Sequence, residues 1–410
     1  MKYKRLLRLF ASLLLFATAP LHAGMPSEKL APALQPFVDR KALAGAVVLV
    51  ADPEEVLDVE AVGYADVAAK KPMQKNAMFW IASQSKPITA VALMILVDEG
   101  KVNVDDPVEK YLPEFRGQMV NVSADPTKPE LVLPRHPILV REVLSHTSGL
   151  DFKSPMETPT LDLKPLGERV SSYAKMALLF QPGSRSKYSN AGLNVAGRII
   201  EVVSGVSYET FLEECLFKPL GMSDTTFWPN QEQQTRLAKS YKPNATKDGL
   251  EEIPIGQLLY PLESRDRFPM PAGGLFSTAN DLSLFYRMMA NGGTFHGTRV
   301  LSKKAVEMAT SDQSGEAQSN YGFGFGTNGK TFTHGGAYGT NSRYDREHKL
   351  ITVFLVQHAG WSEEGKKILP TFQKTATAIF GIQGKENATP LTIGINSAPA
   401  SELQPKAANQ

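Results

Sequence analysis

SQSKPITAVALMILVDEG, residues 83–100, opens on two serines and a lysine and runs straight into an apolar stretch. Ile88, Ala92, Leu93, Ile95 and Leu96 recur at near-helical spacing, which predicts a helix over 83–99 with Gly100 as its stop. Just upstream, 44–51 (AGAVVLVA) and 56–64 (VLDVEAVGY) are rich in β-branched residues and separated by Asp52-Pro53-Glu54, the pattern of two paired strands. Strand signals return only at 331–333 and 350–357 (LITVFLVQ). Between them, 138–144, 192–205, 208–215 and 278–290 read as helices. The last of these has Thr278-x-x-Asp281 as a capping box and Asn291-Gly292-Gly293 at its end. The rest of 101–180 is Pro-rich and irregular, and 361–380 reads as a closing helix interrupted near Pro370. Strands at both ends with helices between predict an α+β fold: a mostly antiparallel sheet flanked by helices, built from both chain ends, with a largely helical region inserted. The expected division is a sheet part at about 30–82 and 295–382 and a helical part at about 83–294.

The first residues belong to a different category. Lys2, Lys4, Arg5 and Arg8 precede an almost unbroken apolar run over 9–19, and Ala23 follows as a small residue. That grammar predicts a secretory signal over 1–23, too short to span a bilayer, and hence an exported, periplasmic or secreted protein. No cysteine follows the run, so no lipid anchor is expected there. Residues 383–410 lack periodicity and read as a loose tail. The whole chain carries 44 basic and 42 acidic residues. Without the four basic residues of the signal the balance falls from +2 to −2, which gives no electrostatic basis for binding nucleic acid or a membrane surface. Cys215 is the only cysteine, which excludes an intramolecular disulfide and a cysteine-based metal site.

Three short elements carry chemistry. Ser83 lies where a helix begins, beside free N–H groups that favour a developing oxyanion. Lys86, three residues on, shares its face and, if desolvated, can accept the serine proton. Ser-x-x-Lys is a weak pattern, however, and recurs at Ser172–Lys175 and Ser184–Lys187. A helix cap followed by a solvated lysine would read the same. The second element, Tyr188-Ser189-Asn190, is the only Tyr-x-Asn in the chain. A phenolate beside an ammonium is a competent base, although a core-packing tyrosine beside a capping Asn fits equally. The third is Thr333-His334-Gly335-Gly336-Ala337, a strand whose glycines admit a substrate backbone and whose N–H can face an oxyanion. A hydrogen-bonded structural histidine is the alternative for His334. No Gly-x-Ser-x-Gly nucleophile elbow is present.

Taken together and in this order, these elements resemble the serine β-lactamase and penicillin-binding-protein-like superfamily, in its class C-type branch. That branch includes class C β-lactamases, DD-peptidases, D-aminopeptidases and family VIII carboxylesterases. The resemblance spans about residues 30–382. It extends to FWIASQSK (79–86), VLSHTSGL (143–150), FKPLGM (217–222) and PAGGLFSTAND (271–281). It implies Ser83 as nucleophile, Lys86 as its proton partner, Tyr188 as general base and acid, and Asn190 as a contact to the acyl side chain. The N–H groups of Ser83 and Ala337 would form the oxyanion hole, in a strand end that also includes Gly335 and Gly336. No metal or organic cofactor is implied, and the partner is a small-molecule or short-peptide substrate. His334 stands where class C β-lactamases usually carry the lysine of Lys-Thr-Gly. A mostly uncharged imidazole suits a substrate carboxylate poorly, which points towards neutral esters or amides. A dedicated β-lactamase or DD-carboxypeptidase, and a sensor that acylates without turnover, are the competing expectations. Arg343 is a second candidate cation near the site.

Overall fold

The computed structural model describes residues 30–125 and 128–381. The signal expected over 1–23 and the tail over 383–410 lie outside the described residues. A seven-stranded antiparallel sheet draws its strands from both ends of the chain. The N-terminal part supplies β1 (Gly45–Ala51), β2 (Val56–Asp66) and the two-residue edge β3 (Lys71–Pro72). The C-terminal part supplies the short edge β4 (Gly326–Thr327), β5 (Thr331–Gly335), β6 (Asn341–Asp345) and β7 (Leu350–Leu355). Their order is β4-β5-β6-β7-β1-β2-β3, so β1 pairs with β7, with Val48 opposite Phe354, and joins the two halves.

Every residue of β1 is buried, because both faces of the sheet are covered. Val48 and Val50 share a core cluster with Leu34 and Phe37 of α1 (Leu30–Asp39), Phe354 of β7 and Phe372 of the closing helix. Val47 and Leu49 face the main core. That double burial explains why AGAVVLVA reads as an unbroken apolar run instead of alternating. The main core is built around α2 (Ser85–Asp98), which is buried at every position from Ser85 to Leu96. A helix apolar on all sides belongs at the centre of a bundle. It packs there on α5 (Asn190–Ser204), with α3 (Val140–Leu144), α4 (Leu166–Ala174) and α6 (Tyr208–Leu212) further out. α7 (Ala279–Ala290) lies against β1, β6 and β7, and α8 (Lys303–Ala309) against α2. α9 (Ile368–Phe380) closes the chain.

Several sequence expectations shift in detail. Ser83 sits in a 3-10 turn, Ala82–Gln84, that feeds into α2, and not in the α-helix itself. Thr278 caps α7 by accepting the Asp281 N–H at 3.2 Å, but Asp281 turns its carboxylate to Thr225 and the Asp224 N–H, so the box is not reciprocal. The helix read over 208–215 is α only to Leu212 and continues as a π turn, Glu213–Phe217. Pro370 falls in the first turn of α9, where a missing N–H costs nothing, so it marks the start of that helix and does not interrupt it. α4 lies inside the stretch read as irregular, and β6 was not anticipated.

Candidate active site

The turn carrying Ser83 is fixed from beneath and from the side. Ala82, buried, takes a left-handed φ of 46°, uncommon for a residue with a Cβ and a form of local strain found at functional sites. Trp80 anchors the approach: its indole donates to the Gly273 carbonyl at 2.7 Å and its ring meets Tyr338 edge-on at 5.0 Å. Tyr338 belongs to the loop that follows β5, so one aromatic contact ties the serine turn to the strand end. Gly336 makes the approach possible. A Cβ there would lie 2.5 Å from the Ile81 carbonyl oxygen and 2.2 Å from Thr340 Oγ1. The second glycine of the His-Gly-Gly run therefore serves chain packing beside Ser83. The turn is closed by Gly336 N–H to Thr340 O and Gly339 N–H to Gly336 O, neither of which uses the Ala337 N–H.

Lys86, in the first turn of α2, is fully buried and, among the described residues, pairs with no carboxylate. Its Nζ lies 3.1 Å from Ser83 Oγ, 2.7 Å from Asn190 Oδ1 and 2.8 Å from the Ala272 carbonyl oxygen. Asn190 is delivered by the start of α5, whose Ser189 cap accepts the Gly192 N–H at 3.2 Å. Gly192 lets α5 approach α3 closely, since a Cβ would come within 2.6 Å of the Val143 carbonyl oxygen. Burial without a compensating anion holds the Lys86 ammonium well below its usual range. In the neutral form two N–H groups can donate to Asn190 and Ala272 while the lone pair faces Ser83. In that form the 3.1 Å contact is Ser83 O–H donating to nitrogen.

Tyr188 places its ring 4.6 Å from Lys86 Nζ. Its hydroxyl is buried without a hydrogen-bond partner. Burial pushes its pKa up, and the nearby Ser83 hydroxyl offsets part of that rise. Catalytic hydrogen bonds are often loose before substrate arrives. Burial thus disfavours both charged forms, the Lys86 ammonium and the Tyr188 phenolate.

His334 stands at the end of β5, 2% exposed, its ring 6.2 Å from that of Tyr188. Nδ1 lies 2.6 Å from the Gly335 carbonyl oxygen and Nε2 2.9 Å from the Tyr321 hydroxyl. A carbonyl only accepts, so Nδ1 carries the proton and Nε2 accepts from Tyr321. Burial, and next the Lys86 charge, press its pKa down to about 3. The imidazole is neutral and both nitrogens are engaged. Arg343 does not supply the missing charge. Strand alternation puts it on the face opposite Ser342, which meets Gln84 at 2.6 Å, and its guanidinium pairs with Asp345 at 2.8 Å.

Ser83, Lys86, Tyr188, Asn190 and His334 therefore converge from three separated segments. The other Ser-x-x-Lys copies do not join them: Ser172 bonds Ser154 and the Arg169 carbonyl, and Ser184 the Gln181 carbonyl. A cavity of about 750 Å³ lies elsewhere, between α7, α8 and the β5–β6 pair, and none of the groups around Ser83 lines it. Sequence reasoning missed the Ala272 carbonyl, which lies in the quoted PAGGLFSTAND stretch, and Tyr321, for which no sequence signal exists.

A family model described as Beta-lactamase matches residues 30–371, most of the chain. The chain belongs to the beta-lactamase family. It is a serine hydrolase of that family, in the branch that joins β-lactamases, penicillin-binding proteins and esterases. Protein Rv1367c of Mycobacterium tuberculosis is 33% identical over 358 residues, covering 78% of this chain and 87% of its own. Esterase EstB of Burkholderia gladioli is 30% identical over 360 residues, covering 77% and 86%. Among solved structures, EstCE1, described as a hydrolase with promiscuous acyltransferase activity, superposes with a TM-score of 0.72 at 26% identity, covering 85% of this chain and 98% of its own. Among the described residues no helix is long and apolar enough to cross a membrane.

Proposed function

We propose that this beta-lactamase family member is an exported esterase-like hydrolase, cleaving neutral esters, or amides, through an acyl-enzyme on Ser83. The observation that carries the reading is the neutral, doubly engaged imidazole of His334 at the position where a lysine would recognise a substrate carboxylate. The similarity to EstB and EstCE1 supports it.

In this mechanism the Lys86 amine takes the Ser83 proton across 3.1 Å as Oγ attacks the carbonyl carbon. The oxyanion is met by the N–H groups of Ser83 and Ala337. Tyr188, with its proton still in place, delivers it to the leaving oxygen and is reprotonated from Lys86. Water then enters and, giving its proton to the same pair, attacks the acyl carbon; the bond to Ser83 Oγ breaks, the proton passes back to Oγ, and the acid leaves. Asn190 holds the Lys86 lone pair towards Ser83 and borders the acyl group. The sheet segments (about 30–82 and 295–382) and the helical segment (83–294) act as two parts of one catalytic unit, with the cleft where β5 meets α2. The basic and apolar residues 1–23 support export by a cleaved signal.

Purified protein comprising residues 24–410 would be assayed against p-nitrophenyl butyrate, nitrocefin and a D-Ala-D-Ala peptide. Ester turnover well above the other two is expected. Rapid nitrocefin or peptide turnover without ester cleavage would replace this reading with a β-lactamase or DD-carboxypeptidase. A stoichiometric burst followed by silence would indicate a sensor.

A further inference from the structure

His146 is the buried titratable group beside the site that the proposed chemistry does not use. It follows α3 in the VLSHTSGL stretch, 2% exposed, with a left-handed φ of 63°. Its carbonyl accepts the Lys187 N–H at 2.9 Å, and its ring Nδ1 accepts the Ser189 N–H at 3.2 Å. One residue thus binds the backbone on both sides of Tyr188. Its ring also packs on Tyr188 itself, with centroids 4.5 Å apart, and on Tyr321 at 4.6 Å. Because Nδ1 accepts from an amide, the proton sits on Nε2, which is buried without a partner. The titratable groups around the ring are Lys86, Tyr188, Tyr321 and His334, with no carboxylate among them. Packing alone would not require an imidazole here, nor a backbone held in a conformation that a Cβ disfavours. The combination of a carbonyl bond, a ring-nitrogen bond and a ring contact, all converging on residues 187–189, does.

We propose that His146 is a positioning residue for Tyr188: it fixes the phenol beside Ser83 and Lys86 while contributing no charge of its own. This rests on the reading of Tyr188 as the proton-transfer residue. Small displacements of an aligned group can cost on the order of 100-fold in rate. The test uses His146→Asn, which tolerates left-handed backbone and keeps an acceptor for the Ser189 N–H but lacks the ring. His146→Phe keeps a ring, loses the acceptor, and serves as a second variant should the first fail to fold. Each is made alone and with Tyr188→Phe, and kcat and KM for p-nitrophenyl butyrate are measured on protein with an unchanged circular dichroism spectrum.

The expected result is a roughly 10- to 100-fold fall in kcat with KM within about threefold, and almost no further loss in the Tyr188→Phe background. Single variants within twofold of the parent, or losses that multiply with that of Tyr188→Phe, would overturn the role of His146. If Tyr188→Phe alone kept parental kcat, the reading of Tyr188 would fall instead, so the two failures are distinguishable.

Discussion

Replacing His334 by lysine tests what the cleft selects. The native imidazole presents no charge, so a substrate carboxylate gains nothing from it. An ammonium about 4 Å from a carboxylate is worth roughly 4 kcal/mol at the effective dielectric of a protein surface. Two features of the structure reduce that figure. Lys86 opposes a second cation at this position whenever it carries its proton, as its part in depressing the His334 pKa indicates. The site is also closed, which penalises the charged form. Together these leave about 1–3 kcal/mol, or about a 5- to 150-fold change. The substitution also leaves the Tyr321 hydroxyl without its acceptor, at roughly 1–3 kcal/mol of stability, but that loss is common to all substrates. The quantity to measure is therefore the ratio of kcat/KM for nitrocefin, which carries a carboxylate, to that for p-nitrophenyl butyrate, which does not. His334→Lys should raise it by at least fivefold at low salt, with the gain shrinking as ionic strength rises. An unchanged ratio in a folded variant would refute the argument that residue 334 sets charge preference.

Ser83→Ala is expected to abolish ester turnover while Ser184→Ala, whose hydroxyl only closes a local turn onto Gln181, keeps nearly all of it; the reverse would show that the wrong Ser-x-x-Lys was chosen. Asp162 and Arg267 form a buried ion pair at 2.7 Å, 1% and 2% exposed, that pins the segment around residue 267. Asp162→Ala should lower unfolding stability by about 3–5 kcal/mol because it strands a buried guanidinium, and a loss under about 1 kcal/mol by urea titration would contradict that. Burial raises the Glu142 carboxyl from 4.5 to about 7, while its Oε2 accepts the Leu139 N–H at 2.8 Å. The folded chain therefore holds a proton there that the unfolded chain has already released. The stability this gives is complete below about pH 4.5, falls as pH rises, and is gone above about pH 7, on the order of 3 kcal/mol in all. Glu142→Gln should flatten the fall in melting temperature between pH 5 and 7, and an identical slope in both proteins would exclude Glu142 as its source.

What could be read from the sequence depended on how local its cause is. Strands β1 and β7 were legible because double burial writes long apolar runs, the partly buried β2 because of its β-branched residues beside a turn, and α2 and α7 because of apolar spacing with a stop or a cap. β6, NSRYD, was not, because its polarity reflects partners contributed by distant parts of the chain, Gln84 for Ser342 and α9 for Asn341, and an ion pair within the strand, Arg343 with Asp345. α4 hides behind Gly167 and a Ser-Ser pair, weak helix formers that tertiary packing overrides. The same division runs through the site. Ser83 and Lys86 share one turn, so their pairing follows from spacing, and Tyr188 and Asn190 joined them through order along the chain. The charge state of His334 had no local signal. It is decided by a carbonyl one residue away, a tyrosine thirteen residues earlier and a lysine almost 250 positions distant, brought together only by the fold. An unperturbed histidine would be partly charged in mildly acidic surroundings, and the sequence alone allowed that. Enclosure removes the possibility, and with it the main electrostatic reason for this cleft to prefer an anionic substrate.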